Sequence, residues 1–141
     1  MAEADKQFTD NGDGSITDAT NGLIWAKEDS WQVDAKWFTW DEAIEYAKHL
    51  NYIKHAGYQD WRLPLEEEVK TIYSGEWENS DKYNAKTGLA PVFPQGALPT
   101  IWLKDDSGGH DGTIFDFRNG EVRPLYKSKS GRMAVRPVRK D

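Results

Sequence analysis

Apolar residues along this chain follow two spacings. From Thr39 to Lys54 they recur at Trp40, Ala43, Ile44, Ala47, Leu50 and Ile53. That repeat puts them on one face of a helix. Thr39 and Glu42 form a capping-box pair at its start, with Phe38 before them as a staple. Asp41 and Glu42 suit the positive end of the helix dipole, and Gly57 lies just beyond the predicted stop. A second helix is predicted from about Pro64 or Leu65 to Tyr73. Pro suits its first turn, Glu66, Glu67 and Glu68 follow, and Leu65, Val69 and Ile72 face inward.

The other spacing is that of strands. Phe8 precedes Asp10-Asn11-Gly12-Asp13-Gly14, Ser15-Ile16-Thr17 follows, and Asn21-Gly22 marks another turn. Leu23-Ile24-Trp25-Ala26 is then a short central strand. Thr100 to Lys104 and Thr113 to Phe117 read as strands. Asn119-Gly120 signals a hairpin, with Glu121 to Leu125 pairing back. Met133 to Val138 alternates, with Met133 and Val135 on one side and Ala134, Arg136 and Val138 on the other. Lys27 to Phe38 shows no period and reads as a loop. Residues 75–99 form a long irregular stretch, packed through its aromatics. The order is hairpin, helix, helix, long loop, then three or four antiparallel strands, which predicts an α+β architecture. Residues 1–6 read as a flexible N-terminal tail and residues 7–139 as a single domain.

Composition narrows the chemistry. The 141 residues fit one domain, and the absence of cysteine excludes disulfides, thiolate metal sites and cysteine nucleophiles. Seven Trp, six Tyr and five Phe supply core area to a chain only 38% hydrophobic. A net charge of −6 argues against general nucleic-acid binding. Basic residues nevertheless gather late, at Arg118, Arg123, Lys127, Lys129, Arg132, Arg136, Arg139 and Lys140. They read either as a local patch for an anionic ligand or as a solvated strand edge. No run is long enough for a membrane span. Met1 to Lys6 lacks a signal-peptide segment, which leaves a cytoplasmic protein or a mature form carrying a start Met.

Several segments together resemble a known family. Phe8 to Asp18 with Thr20-Asn21-Gly22-Leu23-Ile24-Trp25 is similar to its opening. Trp40-Asp41-Glu42-Ala43 and Ala56-Gly57-Tyr58-Gln59-Asp60-Trp61-Arg62-Leu63-Pro64 resemble its second signature. Glu68 stands where an acidic residue is common, and Trp102 stands near its tryptophan–serine strand. Phe115-Asp116-Phe117, Asn119-Gly120 and Val135 to Arg139 resemble its closing segments. The family is a bacterial one, named for the C-terminal domain of a Legionella collagen-like protein.

The resemblance implies a C-type-lectin-like fold: two helices flanking a small antiparallel sheet, first and last strands together, and long irregular loops presenting the variable surface. It also implies a periplasmic or extracellular location. Related formylglycine-generating enzymes need cysteines, so their activity does not carry over. The chain departs from the family at Leu103-Lys104, where Ser-Ser or Ser-Thr is usual, at Leu65 in place of a small polar cap, and in its missing cysteines.

Each candidate site also has a plain structural reading. Trp25, Trp40, Asp60, Trp61, Arg62, Glu68 and Trp102 read as framework, with Arg62 pairing to Asp60 or Glu68. Trp31, Trp37, Trp77, Tyr83 and Tyr126 are less constrained, and aromatic faces on loops suit sugar stacking or a protein hot spot. Asp105, Asp106 and His110, with Asp111, form either a ligand or calcium rim or a solvated turn. Asp10, Asp13 and Asp18 are weak calcium candidates, because the EF-hand register fails and a hairpin with Asx turns explains them. His49 and His55 lack zinc-helix spacing, and no serine sits in a nucleophile elbow. The expectation is a non-enzymatic module without an obligatory cofactor, calcium being possible, that recognises a glycan or a surface protein. The alternatives are an assembly domain of a larger cell-envelope complex, with homo-oligomerisation possible, and a metal-assisted hydrolase.

Overall fold

The computed structural model describes residues 7–104 and 108–141. The expected tail at residues 1–6, and Asp105 and Asp106, lie outside the described residues. The fold is mixed α+β. Strands β1 (Phe8–Asp10), β2 (Ser15–Asp18) and β3 (Leu23–Ala26) form an antiparallel meander. The last strand, β10 (Val138–Lys140), adds to its edge with Val138 opposite Trp25. A second sheet runs in the order β8-β7-β6-β9, from β6 (Thr100–Trp102), β7 (Asp111–Asp116), β8 (Glu121–Tyr126) and β9 (Met133–Ala134). The expectation of purely antiparallel late strands is corrected here. β9 pairs parallel to β6, with Thr100 opposite Met133, because the chain crosses over the Ser128–Arg132 turn to reach it. A two-stranded ribbon, β4 (Asn79–Ser80) with β5 (Lys86–Thr87), sits inside the long middle segment.

The strands carry apolar residues on both faces, so consecutive side chains enter two different cores. Leu23, Trp25, Ile101, Leu103, Phe115 and Ala134 join one. Ile24, Ala26, Trp102, Ile114, Met133 and Val135 join the other. Helix α2 (Trp40–Tyr52) closes the second core with Ala43, Tyr46, Ala47 and Leu50. Thr39 caps it as predicted: its hydroxyl accepts the Glu42 amide at 3.2 Å while the Glu42 carboxylate accepts the Thr39 amide at 2.8 Å. Ile53 falls past the helix end and is half exposed instead of inward. The first core is closed by helix α3 (Glu66–Val69) with the following 3-10 turn Lys70–Ile72, and by Leu89, Phe93 and Leu98 of the middle segment. That segment is therefore a layer of the core rather than an excursion.

Lys27 to Phe38 is not all loop. Asp29 caps a short helix, α1 (Ser30–Asp34), through a capping box with Gln32. Fewer than two turns leave no room for an apolar period. The expected Met133–Val138 strand is broken into β9 and β10, and all six residues are buried. Arg136 leaves the basic run altogether, at 1% exposure. Its Nη1 donates to the carbonyls of Ala26 (3.1 Å) and Lys27, and its guanidinium lies 4.6 Å from the centre of the Phe93 ring. Asp29, also buried, accepts the amides of Gln32 at 2.9 Å and Leu98 at 2.8 Å. Burial pushes the Asp29 carboxyl up and the Arg136 guanidinium down, each opposed by the other's charge.

Of the framework residues, Trp25, Trp61 and Trp102 are buried, whereas Trp40 is only half-buried. The Trp102 indole donates to the Phe38 carbonyl at 2.9 Å, and that of Trp61 to His55 at 3.1 Å. Arg62 pairs with Glu68 through two hydrogen bonds of 2.8 Å. Asp60 pairs with Arg139 instead, at 2.6 Å, and the Arg139 guanidinium lies 3.8 Å from the Tyr58 ring centre. Burial raises the Glu68 carboxyl, but Arg62 and the Leu65 amide outweigh it and hold it below its ordinary value.

Arg136→Ala should lower stability by about 2–5 kcal/mol, because it empties a buried site and takes the donor away from the Ala26 and Lys27 carbonyls. Urea unfolding checks this, and a loss within experimental error would show the buried guanidinium to be dispensable. Glu68 is depressed in the folded state, so its contribution is present above the unfolded carboxylate pKa and fades as pH falls through the folded value. Glu68→Gln should therefore cost stability at pH 7 and progressively less below pH about 4. Thermal melts across that range test the sign.

Candidate functional site

Four separate parts of the chain bring aromatic rings and cations to one surface. Asp81, 3% exposed at the start of the β4–β5 loop, organises it. Its Oδ1 accepts the amides of Tyr83 (2.8 Å) and Ala85 (3.1 Å), which fixes the loop as an Asx turn. Its Oδ2 accepts Arg118 Nε at 2.8 Å, which draws in the β7–β8 turn. Asp116 supports the same turn by accepting the Arg118 amide at 2.8 Å. Arg132 arrives from the turn before β9 in a left-handed conformation, φ 62°, and its carbonyl accepts the Thr100 hydroxyl at 2.7 Å.

The Tyr83 ring, 39% exposed, lies among three cations. Arg132 is 5.0 Å, Arg118 5.8 Å and Lys82 5.9 Å from its centre. Lys82 Nζ is also 5.2 Å from the Trp31 ring on α1, so it bridges the two aromatics. Gln32 extends the surface by donating to the Gln95 carbonyl at 3.0 Å. Beside it, a polar hollow of about 360 Å³ is lined by Asn79, Ser80, Asn84 and Gln95, among others. The hydrogen bond from Asp81 holds Arg118 above its ordinary pKa, so it stays charged at any working pH. The result is a positive, aromatic surface on an acidic chain. It can stack a flat apolar face and attract an anion beside it.

The other predicted contact residues go elsewhere. Trp77 is half-buried, with its ring edge-on to Phe8 at 6.0 Å. Trp37 is exposed after α1. His110 and Tyr126 lie at the open end of the β7–β8 hairpin, where Tyr126 stands opposite Asp111 and the Lys127 amide donates to the His110 carbonyl at 2.9 Å. Arg118 stands at the opposite end of that hairpin, about 17 Å away along six residues. Asp10, Asp13 and Asp18 spend their oxygens locally. Asp10 holds Lys27 at 2.9 Å, Asp13 accepts the Ser15 hydroxyl at 2.6 Å, and Asp18 accepts Asn21 Nδ2 at 2.8 Å. Among the described residues no group of three or more His, Asp or Glu side chains converges on a metal position.

The model of one protein family, the Lcl C-terminal domain, matches residues 14–139. The chain belongs to the Lcl C-terminal domain family. No curated protein matches it. Membership of this family supports a non-catalytic, binding-type protein in general terms. Among the described residues no helix is long and apolar enough to cross a membrane. Sequence reasoning had Trp31, Tyr83, Arg118 and Arg132 in view, but under different headings. It missed Asp81 and Lys82, which carry no local signal, because their role exists only once four segments meet.

Asp81→Ala should release the loop and leave Arg118 without its partner. Loss of the buried carboxylate's bonds should cost roughly 1–3 kcal/mol. Hydrogen exchange at the Tyr83 and Ala85 amides should speed up while β7 amides stay protected. Uniform loss of protection would instead place Asp81 in the global fold.

Proposed function

We propose that this domain is a carbohydrate-binding module that takes an acidic glycan on the Trp31–Lys82–Tyr83–Arg118–Arg132 surface. The observation that carries the reading is the Tyr83 ring set among three cations and joined to Trp31 by Lys82. A sugar ring offers C–H faces to aromatic rings and carboxylates to cations, and an oligosaccharide is long enough to span both rings. The polar hollow beside Asn84 offers hydrogen-bond partners to hydroxyls. A surface protein with an acidic loop is the other partner class with this chemistry, but it makes less use of two separated aromatic rings.

Further support comes from the architecture and the family. In a C-type-lectin-like arrangement the terminal strands pair, helices flank them and loops carry the ligand. The pairing of β10 with β3 and the position of the Tyr83 loop accord with that arrangement over residues 7–139. Lcl is a cell-surface collagen-like protein of Legionella. A periplasmic or extracellular site of action, where polysaccharides are met, follows from that reading.

Titration with polygalacturonate, hyaluronate and neutral dextran tests the proposal. The acidic polymers should bind saturably and weaken as salt rises, since the cations are solvent-facing. Tyr83→Ala and Arg132→Ala should each reduce affinity by roughly fivefold to tenfold. Equal binding of dextran, or variants that bind like the parent protein, would refute it.

A further inference from the structure

We propose that the hollow between α1 and α2 binds an alkylammonium ion, at a second site that does not depend on the glycan reading. Phe38 and Tyr46 form its apolar wall, with their rings edge-on and 5.5 Å between centres. Backbone bonds hold Phe38 in place. Its amide donates to the Met133 carbonyl and its carbonyl accepts the Trp102 indole, each at 2.9 Å. Asp34, at the end of α1, and Glu42 and Glu45, on α2, bring carboxylates to the same hollow. Its volume is about 350 Å³, within the range of sites that take a small ligand.

Tyr46 shows what this hollow lacks. The side chain is only 7% exposed and lines the hollow, yet its hydroxyl has no hydrogen-bond partner among the described residues. A buried polar group left unpaired costs about 1–3 kcal/mol, and a ligand that donates to it removes that cost. Burial pushes the phenol pKa up, and the charges of Asp34, Asp29 and Glu28 push it further, with Arg136 opposing them. The hydroxyl therefore stays neutral, keeps its lone pairs for an incoming donor, and lies in the field of Asp34.

The carboxylates are open to a cation. Asp34 is exposed and has no hydrogen-bond or ion-pair partner among the described residues. Glu42 spends Oε1 on the Thr39 amide and keeps Oε2. Glu45 meets Lys48 in a pair whose side chains are 71% and 69% exposed, a contact worth little. Among the described residues these groups do not converge on a metal position. An ammonium on an apolar stem uses all of them: its three N–H groups reach the hydroxyl and the carboxylates, and its stem covers the rings.

The chain places a cation of its own at this site. Lys36, in the exposed residues 35–37 that follow α1, lines the hollow with its Nζ 6.0 Å from the centre of the Phe38 ring. No carboxylate pairs with it among the described residues. It rests on the ring alone, at the outer limit of such a contact, and a free ligand displaces it at small cost.

The test uses the full chain and proton–nitrogen NMR titrations with putrescine, Nα-acetyl-lysine methylamide, butanol and butyrate. The two amines should shift the Phe38, Tyr46 and His49 amide signals saturably, and the alcohol and the acid should leave them in place. Tighter binding of the lysine derivative marks a protein lysine as the source of the ammonium, and tighter binding of putrescine a free polyamine. Either agrees with the proposal. Asp34→Asn and Tyr46→Phe should each weaken putrescine by about threefold to fivefold. Lys36→Ala should strengthen it by about twofold, an effect that a purely structural Lys36 would not produce. Should Tyr46→Phe lose its fold, Asp34→Asn and Lys36→Ala decide the matter. Butanol shifts equal to those of the amines overturn the proposal. So do amine shifts as large at Asp41 and Glu76 as in the hollow, or variants that bind like the parent protein.

Discussion

A guanidinium with no access to water holds the two sheets in register. Arg136 sits between β9 and β10 and donates to carbonyls that end β3. Its ring contact with Phe93 fixes the middle segment, and Asp29 next to those carbonyls caps α1 and receives Leu98. Ser30 completes the junction: its amide donates to the Val135 carbonyl at 2.9 Å, and its hydroxyl accepts the Val135 amide at 3.0 Å. A buried arginine is an expensive way to join strands, since desolvation offsets much of the Coulomb gain. What it contributes here is specificity. Its Nη1 ties the final strands to both carbonyls, while its Nε has no partner among the described residues.

From this junction the binding surface follows. Asp29 sets the position of α1, and α1 carries Trp31. The segment that Phe93 and Leu98 anchor also carries the β4–β5 ribbon and Tyr83. Lys82 comes with that ribbon, and Arg118 and Arg132 arrive from two turns of the second sheet. Asp81, buried beneath them, does for this surface what Asp29 does for the core: one carboxylate gathers amides from its own turn and a cation or amide from a distant one. Both exploit the same fact, that a carboxylate accepts up to four hydrogen bonds and can therefore tie two segments at once.

Much of the fold was legible because period and capping agree locally. Trp40 to Leu50 repeats at helical spacing, and Thr39 with Glu42 announces its start. The strands were visible as apolar runs, but their two-sided burial was not, since Leu23 to Ala26 reads the same whether one face or two are covered. Helix α1 was hidden by its length. The parallel pairing of β9 joins Thr100 to Met133 across an intervening hairpin, and the burial of Arg136 depends on contacts more than a hundred residues apart, as in the bond from Arg136 to Ala26 at a separation of 110. No local pattern encodes such a contact. For the same reason the candidate surface was seen as separate pieces, a loop tyrosine and a late basic run, whose meeting depends on Asp81.

The last strands join both sheets, and that has a consequence for biosynthesis. Residues 133–140 supply β9 to one sheet, β10 to the other and the guanidinium between them. Without them the meander lacks its fourth strand and β6 its parallel neighbour, although the Trp102 indole still reaches the Phe38 carbonyl. Both sheets are therefore completed only after residues 133–140 have been made.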